Sequence, residues 1–229
     1  MKRFAFICTR DKNLKPVTQE LLSYLDSLGT KVILLIGQKS IFDAYNTALN
    51  KIDAEPDDQV ILCHDDIHII SSPDWFNRTL NKQLSRASTG FVGVAGARKL
   101  PSSAVWWDGL NQEYTKSELK DNLSGYVYHG TPDKCFPTYF GPLSEVEVLD
   151  GLFLASRYDT LKEVGLEKPS YFEGNWDFYD IHYTYKASKL GLFNVTAPIH
   201  LIHNSPGDLQ GRDSWHKNRE AFIKNSLTV

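Results

Sequence analysis

The chain has 229 residues, with 28 acidic and 25 basic side chains and a net charge of −3. At about 150 residues per domain the length fits one large domain or two small ones, and an aromatic share of 12% with so small a net charge excludes a disordered chain. A pI near 6.2 gives no basic field, so nucleic-acid and membrane-surface binding are disfavoured, and an anionic substrate would need a counter-charge.

The first half alternates strand and helix signals. Phe4–Cys8 is a short apolar run, and Val17–Leu28 has helical spacing closed by Gly29. Val32–Ile36 is a β-branched run ended by Gly37; Ile41–Ile52 is helical again, and Val60–Cys63 is a third buried strand. Trp75–Ser85 reads as a helix and Phe91–Ala95 as a fourth strand. This rhythm predicts βαβ units and an α/β fold with a mostly parallel sheet covered by helices on both faces. Ligands of such sheets sit beyond the carboxyl ends of the strands.

From Pro101 to Pro142 the rhythm breaks: four of the ten prolines, scattered aromatics and no sustained period predict an irregular loop or lid. Structure resumes with Val146–Ala155, followed by a helix from about Asp180 to Leu190, a last strand Phe193–Ile202 and a helical tail from about Ser214. With no linker or repeat, one domain is the expected count.

Three cysteines, Cys8, Cys63 and Cys135, make no disulfide framework; Cys8 and Cys63 end apolar runs and read as small buried side chains in a reducing compartment. Met1-Lys2-Arg3-Phe4 leads straight into a strand-like run, and no segment approaches about 18 apolar residues. The expectation is a cytoplasmic chain without a membrane span.

The densest chemistry is His64-Asp65-Asp66, at the end of the third strand. Adjacent carboxylates repel unless they share a cation or a hydroxyl-rich ligand, and their oxygens suit Mg²⁺ or Mn²⁺. A polar turn capping the next helix needs only one Asp. A second cluster is His200-Leu201-Ile202-His203-Asn204-Ser205-Pro206-Gly207. Strand periodicity puts His200 and His203 on opposite faces, so His203, at the strand end, is the better ligand candidate. The third, Gly174-Asn175-Trp176-Asp177-Phe178-Tyr179-Asp180, precedes a helix. Each Asp could be an N-cap or a general base beside Trp176 and Tyr179, which could stack on a sugar ring.

At these clusters the sequence resembles the GT-A nucleotide-sugar glycosyltransferases of the family 2-like, StrF-type group. Ile7-Cys8-Thr9-Arg10 is similar to the first-strand loop that contacts the nucleotide base, and Ala44-Tyr45-Asn46 to the small-x-Asn segment of the second helix. His64-Asp65-Asp66 resembles the DxD motif in an H-D-D form; Gly93-Val94-Ala95-Gly96-Ala97-Arg98 and Trp106-Trp107 resemble the strand and loop that follow. Leu149-Asp150-Gly151-Leu152-Phe153 is similar to the Asp-Gly strand below the sugar, Tyr179-Asp180-Ile181 to the segment bearing the catalytic Asp, and His203-Asn204-Ser205 to the terminal His-x-Ser.

The resemblance implies a single GT-A domain, with residues 1–100 as the nucleotide-binding half and 101–229 as the acceptor and catalytic half. It implies that Asp66 and His203 coordinate a divalent metal, Mn²⁺ or Mg²⁺. Cys8, Thr9, Arg10, Gly37, Asn46, His64, Asp65, Arg98, Asp150, Gly151 and Trp176 would surround a nucleotide-sugar donor, UDP-sugar favoured. Two departures stand out: His64 replaces the first DxD carboxylate, and Asp177 lies three residues before Asp180, so either could be the base. The implied reaction moves the sugar to a glycan or other hydroxyl acceptor with inversion. The rivals are a nucleotidyltransferase acting on sugar phosphates, although Thr9-Arg10-Asp11-Lys12-Asn13 lacks the glycine-rich loop expected of one, and a catalytically silent nucleotide- or carbohydrate-binding module.

Overall fold

The computed structural model describes residues 1–108, 121–205 and 213–227. Strands β1 (Arg3–Cys8), β2 (Lys31–Leu35) and β3 (Gln59–Cys63) alternate with helices α1 (Pro16–Ser27) and α2 (Ile41–Lys51), as the apolar spacing predicts. A short strand β4 (Ile67–Ile69) then precedes α3 (Pro73–Leu84), β5 (Thr89–Gly93) and β6 (Ala95–Ala97). The helix starts follow local chemistry. Pro16 and Pro73 occupy first-turn positions where no N–H is needed, and Ser40 and Ser72 accept from the backbone N–H groups of Asp43 and Trp75.

The second half contains β7 (Leu123–Thr131), β8 (Lys134–Gly141), β9 (Glu145–Val146), β10 (Val148–Leu149) and β11 (Phe153–Arg157). Helices α4 (Tyr158–Val164) and α5 (Tyr179–Lys189), strands β12 (Phe193–Thr196) and β13 (Leu201–His203), and α6 (Asp213–Phe222) complete it, the last continuing as a π-helical turn over Ile223–Leu227. The main sheet has seven strands in the order β2-β1-β3-β11-β5-β12-β9. Five of them run one way; β11 and β9 run against the rest. Every residue of β3 is buried, which is why Gln59–Cys63 is an almost uninterrupted apolar run. A single contiguous core joins these strands to α1, α2, α3 and α5.

Two expectations are corrected here. The stretch Pro101–Pro142 is not irregular throughout: residues 123–141 form the long antiparallel hairpin β7–β8, while residues 109–120 lie outside those described. Its prolines misled because they stand where a hairpin tolerates them. Pro132 is in the turn, and Pro137 is on β8, which pairs with β7 alone and needs no second set of N–H donors. The expected last strand Phe193–Ile202 is in fact two. β12 belongs to the main sheet, and β13 pairs with β7 and β4 in a second sheet of order β10-β6-β7-β13-β4. Pro198 marks the break, because it cannot donate to a ladder, and the chain turns there with Ile199 N–H bonded to the Ala197 carbonyl at 2.8 Å. Pro206 and Gly207 lie outside the described residues.

Candidate active site

The chemistry-bearing segments converge because they are all exits from strands or entrances to helices on one edge. They enclose a cleft of about 570 Å³. β1 delivers Cys8 and Arg10, β3 delivers His64, Asp65 and Asp66, and the β10–β11 turn delivers Asp150 and Gly151. The approach to α5 supplies Trp176, Asp177 and Asp180, and β13 supplies His203. Thr9, Gly37, Asn46 and Arg98 do not line this cleft. Thr9 is buried and braces the loop, its hydroxyl donating to the Asp11 carbonyl (2.7 Å) and accepting from Gly37 N–H (3.3 Å). Gly37 has φ +62°, a left-handed turn that favours glycine. Asn46 bonds Asn50 on its own helix, and Arg98 is an exposed residue whose N–H bonds the Asn122 carbonyl.

Backbone bonds fix how the pieces meet. His64 N–H donates to the Leu152 carbonyl (3.0 Å), and Asn204 N–H donates to the Asp66 carbonyl (2.8 Å). The first turn of α5 clamps Gly151: the Asp180 carboxylate accepts its N–H at 2.9 Å and the Tyr179 hydroxyl donates to its carbonyl at 2.8 Å. No larger residue fits there, since a Cβ on Gly151 would lie 2.4 Å from the Tyr179 oxygen and 2.8 Å from Asp180 Cβ. Phe178 starts the helix at φ +70°, a strained conformation for a non-glycine residue. Its ring is held between Trp215 and Phe222 of α6.

His64, Asp66 and His203 come together. Asp66 Oδ1 lies 3.8 Å from His64 Nδ1 and 3.4 Å from His203 Nε2, and one ligand atom from each residue falls within 4.8 Å of the others. Asp66 Oδ1 is buried and makes no well-directed hydrogen bond among the described residues. An acceptor in that position wants a cation, and two imidazoles with a carboxylate are a donor set suited to a first-row divalent ion. Burial alone would raise the Asp66 pKa, but His203 and His64 together hold it below the ordinary carboxylate value. His203 is shifted the other way: burial lowers it, and the Asp66 carboxylate more than restores it. His64 is lowered, first by burial and then by His203, which favours the neutral imidazole a metal requires.

Asp65 points elsewhere, 3.7 Å from the Lys15 ammonium, in the turn that joins β3 to β4. His64 joins Asp66 and His203 as a third ligand candidate through this turn geometry. His129 was not anticipated at all, because it lies on the unforeseen hairpin, with its ring 6.0 Å from that of His203.

The two candidate bases are now distinguishable. Asp177 is buried and occupied: the Ser214 hydroxyl donates to it at 2.6 Å, and the Asn218 amide donates to its carbonyl at 2.9 Å, tying the loop to α6. Asp180 faces the cleft beside Asp150, and its pKa is pushed up to about 7, first by burial and then by the Asp150 charge. Burial also pushes the Cys8 thiol up to about 12, so it lines the wall as an uncharged group. Arg10 stacks 4.5 Å above the Trp176 ring, whose indole N–H bonds the Lys39 carbonyl.

A mainly parallel sheet with one inserted antiparallel strand and an acidic, imidazole-bearing cleft at its strand ends is the GT-A glycosyltransferase architecture. Residues 7–225 match the model of a glycosyltransferase-like family, and the chain belongs to that family. It is therefore an enzyme of the glycosyltransferase class. Among solved structures it is similar to GalNAc-T7 with UDP, GalNAc and Mn²⁺, at 11% identity and a TM-score of 0.53, over 96% of this chain and 42% of that one. It is also similar to A197 from STIV, at 13% identity and a TM-score of 0.48, over 86% of this chain and 81% of that one. At such identities the likeness to GalNAc-T7 is one of fold. No curated protein matches the sequence. No helix among the described residues is long and apolar enough to cross a membrane.

Proposed function

We propose that the chain transfers a sugar from a nucleotide-diphosphate donor, UDP-sugar favoured, to an acceptor hydroxyl, with a divalent metal and with inversion at the anomeric carbon. The observation that carries this reading is the buried Asp66 Oδ1, which makes no well-directed hydrogen bond among the described residues, between His64 and His203 in the same cleft as Asp180. His64, Asp66 and His203 would hold Mn²⁺ or Mg²⁺. When bound, the ion supplies the positive charge that a departing diphosphate needs.

The remaining work falls to the chain's own groups. Arg10 and Lys15 add fixed positive charge to the donor side, and Asp65 and Trp176 bound that side of the cleft. Residues 1–100 thus furnish most of the donor half, and residues 101–229 the catalytic and acceptor half. Asp180, as the carboxylate, takes the proton of the acceptor hydroxyl while Gly151 N–H holds its Oδ2 in place. Such a positioned base contributes roughly 10²–10⁴-fold. Burial first, and then the Asp150 charge, keep Asp180 basic enough to accept that proton near neutrality. The test is UDP release from UDP-sugars with added Mn²⁺ and sugar acceptors, with the product anomer read by NMR. Release that EDTA abolishes and Mn²⁺ restores, with an inverted product, is expected; release indifferent to EDTA overturns the metal role.

A further inference from the structure

The cleft carries charge on one side and aromatic rings on the other. β1, β3 and α1 with its preceding loop contribute Arg10, Asp11, Lys15, Asp65 and Asp66. The β7–β8 hairpin contributes Val127, His129, Phe136, Thr138 and Phe140, with no carboxylate and no permanent cation among them. These five form one pleated face: Phe136, Thr138 and Phe140 alternate along β8, and His129 and Val127 stand opposite Phe136 and Thr138.

Ring contacts extend this face in both directions. His129 lies 5.7 Å from Phe136 and 6.0 Å from His203, a member of the imidazole–carboxylate cluster. At the other end Phe140 meets Trp106 at 5.1 Å, Trp106 meets Trp107 at 5.6 Å, and Trp107 meets Trp215 at 5.8 Å. Trp215 in turn meets Phe178 at 5.3 Å, two residues before Asp180. Two aromatic groups thus flank Thr138 and Val127, one reaching the imidazole cluster and the other the neighbourhood of the candidate base. Two of their members are unsatisfied as they stand. Phe136 leaves 62% of its surface exposed at the cleft. Trp106 is only 3% exposed, yet its indole N–H has no partner among the described residues.

We propose that the hairpin wall is the acceptor subsite and that it receives an uncharged pyranoside, discriminating against phosphorylated or carboxylated acceptors. The inference rests on the transferase reading above and adds the acceptor's chemistry to it. A pyranose ring has an apolar C–H face that suits aromatic carbon, and a rim of hydroxyls for scattered groups such as the Thr138 hydroxyl and the His129 ring. Lys134, at the tip of the hairpin, does not line the cleft, so a phosphate on the acceptor would meet no lysine or arginine among the hairpin residues that do and would approach the Asp150 and Asp180 carboxylates, a repulsive arrangement in a partly buried cleft. Charge complementarity therefore selects a neutral ring.

The probes are methyl β-D-glucopyranoside and glucose 6-phosphate, titrated by saturation-transfer NMR into the full chain with UDP and Mn²⁺ present. The neutral glycoside is expected to bind at least fivefold more tightly than the phosphorylated sugar. Phe136→Ala, at an exposed position, is expected to weaken the neutral glycoside about tenfold while UDP affinity stays within twofold. Equal or tighter binding of glucose 6-phosphate, or no effect of Phe136→Ala on the glycoside, overturns the proposal and leaves the transferase reading intact. Failure of UDP to bind overturns both, so the two failures are distinct.

Discussion

The Tyr179 hydroxyl stands 3.0 Å from Nε2 of His64 and donates its single proton to the Gly151 carbonyl at 2.8 Å. It can therefore meet His64 only as an acceptor, which places the imidazole proton on Nε2 and leaves the lone pair on Nδ1. Nδ1 is the atom 3.8 Å from Asp66 Oδ1. In the proposed metal site, Tyr179 would orient His64 without being a ligand itself. Loss of such a partner typically costs 10–100-fold in metal affinity, so Tyr179→Phe should weaken Mn²⁺ binding by about that factor in a titration followed by electron paramagnetic resonance. Unchanged affinity would show that His64 finds its orientation elsewhere.

The proposed base role of Asp180 carries a pH dependence. With its pKa at about 7, the base form needed to accept a proton is lost as pH falls, so turnover should rise through about pH 7 and level off above it. Asp180→Asn should bind UDP as well as the parent and transfer roughly 10²–10⁴-fold more slowly. Full activity in that variant would move the base elsewhere.

The same residue predicts a stability change with a definite sign. Its folded pKa is raised above the ordinary aspartate value, so the folded chain holds a proton that the unfolded chain releases. That stabilisation is complete below about pH 4 and is lost as pH rises to about 7. Melting curves of the metal-free protein between pH 5 and pH 8 should show a shallower decline for Asp180→Asn than for the parent. An identical decline would mean that Asp180 ionises normally in the fold.

Asp177 should behave as a fastening, not a base. Its carboxylate receives the Ser214 hydroxyl at 2.6 Å and so ties the loop before α5 to α6. A hydrogen bond to a charged group contributes about 1.5–3 kcal/mol, and each kcal/mol is worth about 2–4 °C in a chain of this size. Asp177→Ala should therefore melt about 3–12 °C lower, whereas Asp177→Asn should retain most transfer activity. Loss of transfer in Asp177→Asn with an unchanged melting temperature would reverse the two roles.

How much of this was legible in the sequence depends on how local the signal is. β1, β2, β3, β5 and α1 to α3 follow from apolar spacing, because each packs into or against the main sheet, whereas the three-residue β4 belongs to the second sheet and has no such local signal. His64-Asp65-Asp66 is legible as a ligand edge because a buried strand ends there. The β7–β8 hairpin is not, since its prolines and glycines mimic a loop, and with it His129, Phe136 and Thr138 were missed. Tyr179 shows the other limit. Its role depends on a hydroxyl meeting His64 from 115 residues away in the chain, a relation that no local pattern encodes. Thr9 and Asn46 are a further case: they are near the right strand and helix, yet their side chains are turned to bonds of their own.

The central claim is that Asp66 is the carboxylate of a metal site that admits an anionic donor, and calorimetry tests it most directly. UDP should bind the parent chain with Mn²⁺ and far more weakly after EDTA, while Asp66→Ala should show only the weak binding under both conditions. Equal UDP affinity with and without Mn²⁺, or an Asp66→Ala variant that keeps the Mn²⁺-dependent affinity, would contradict it.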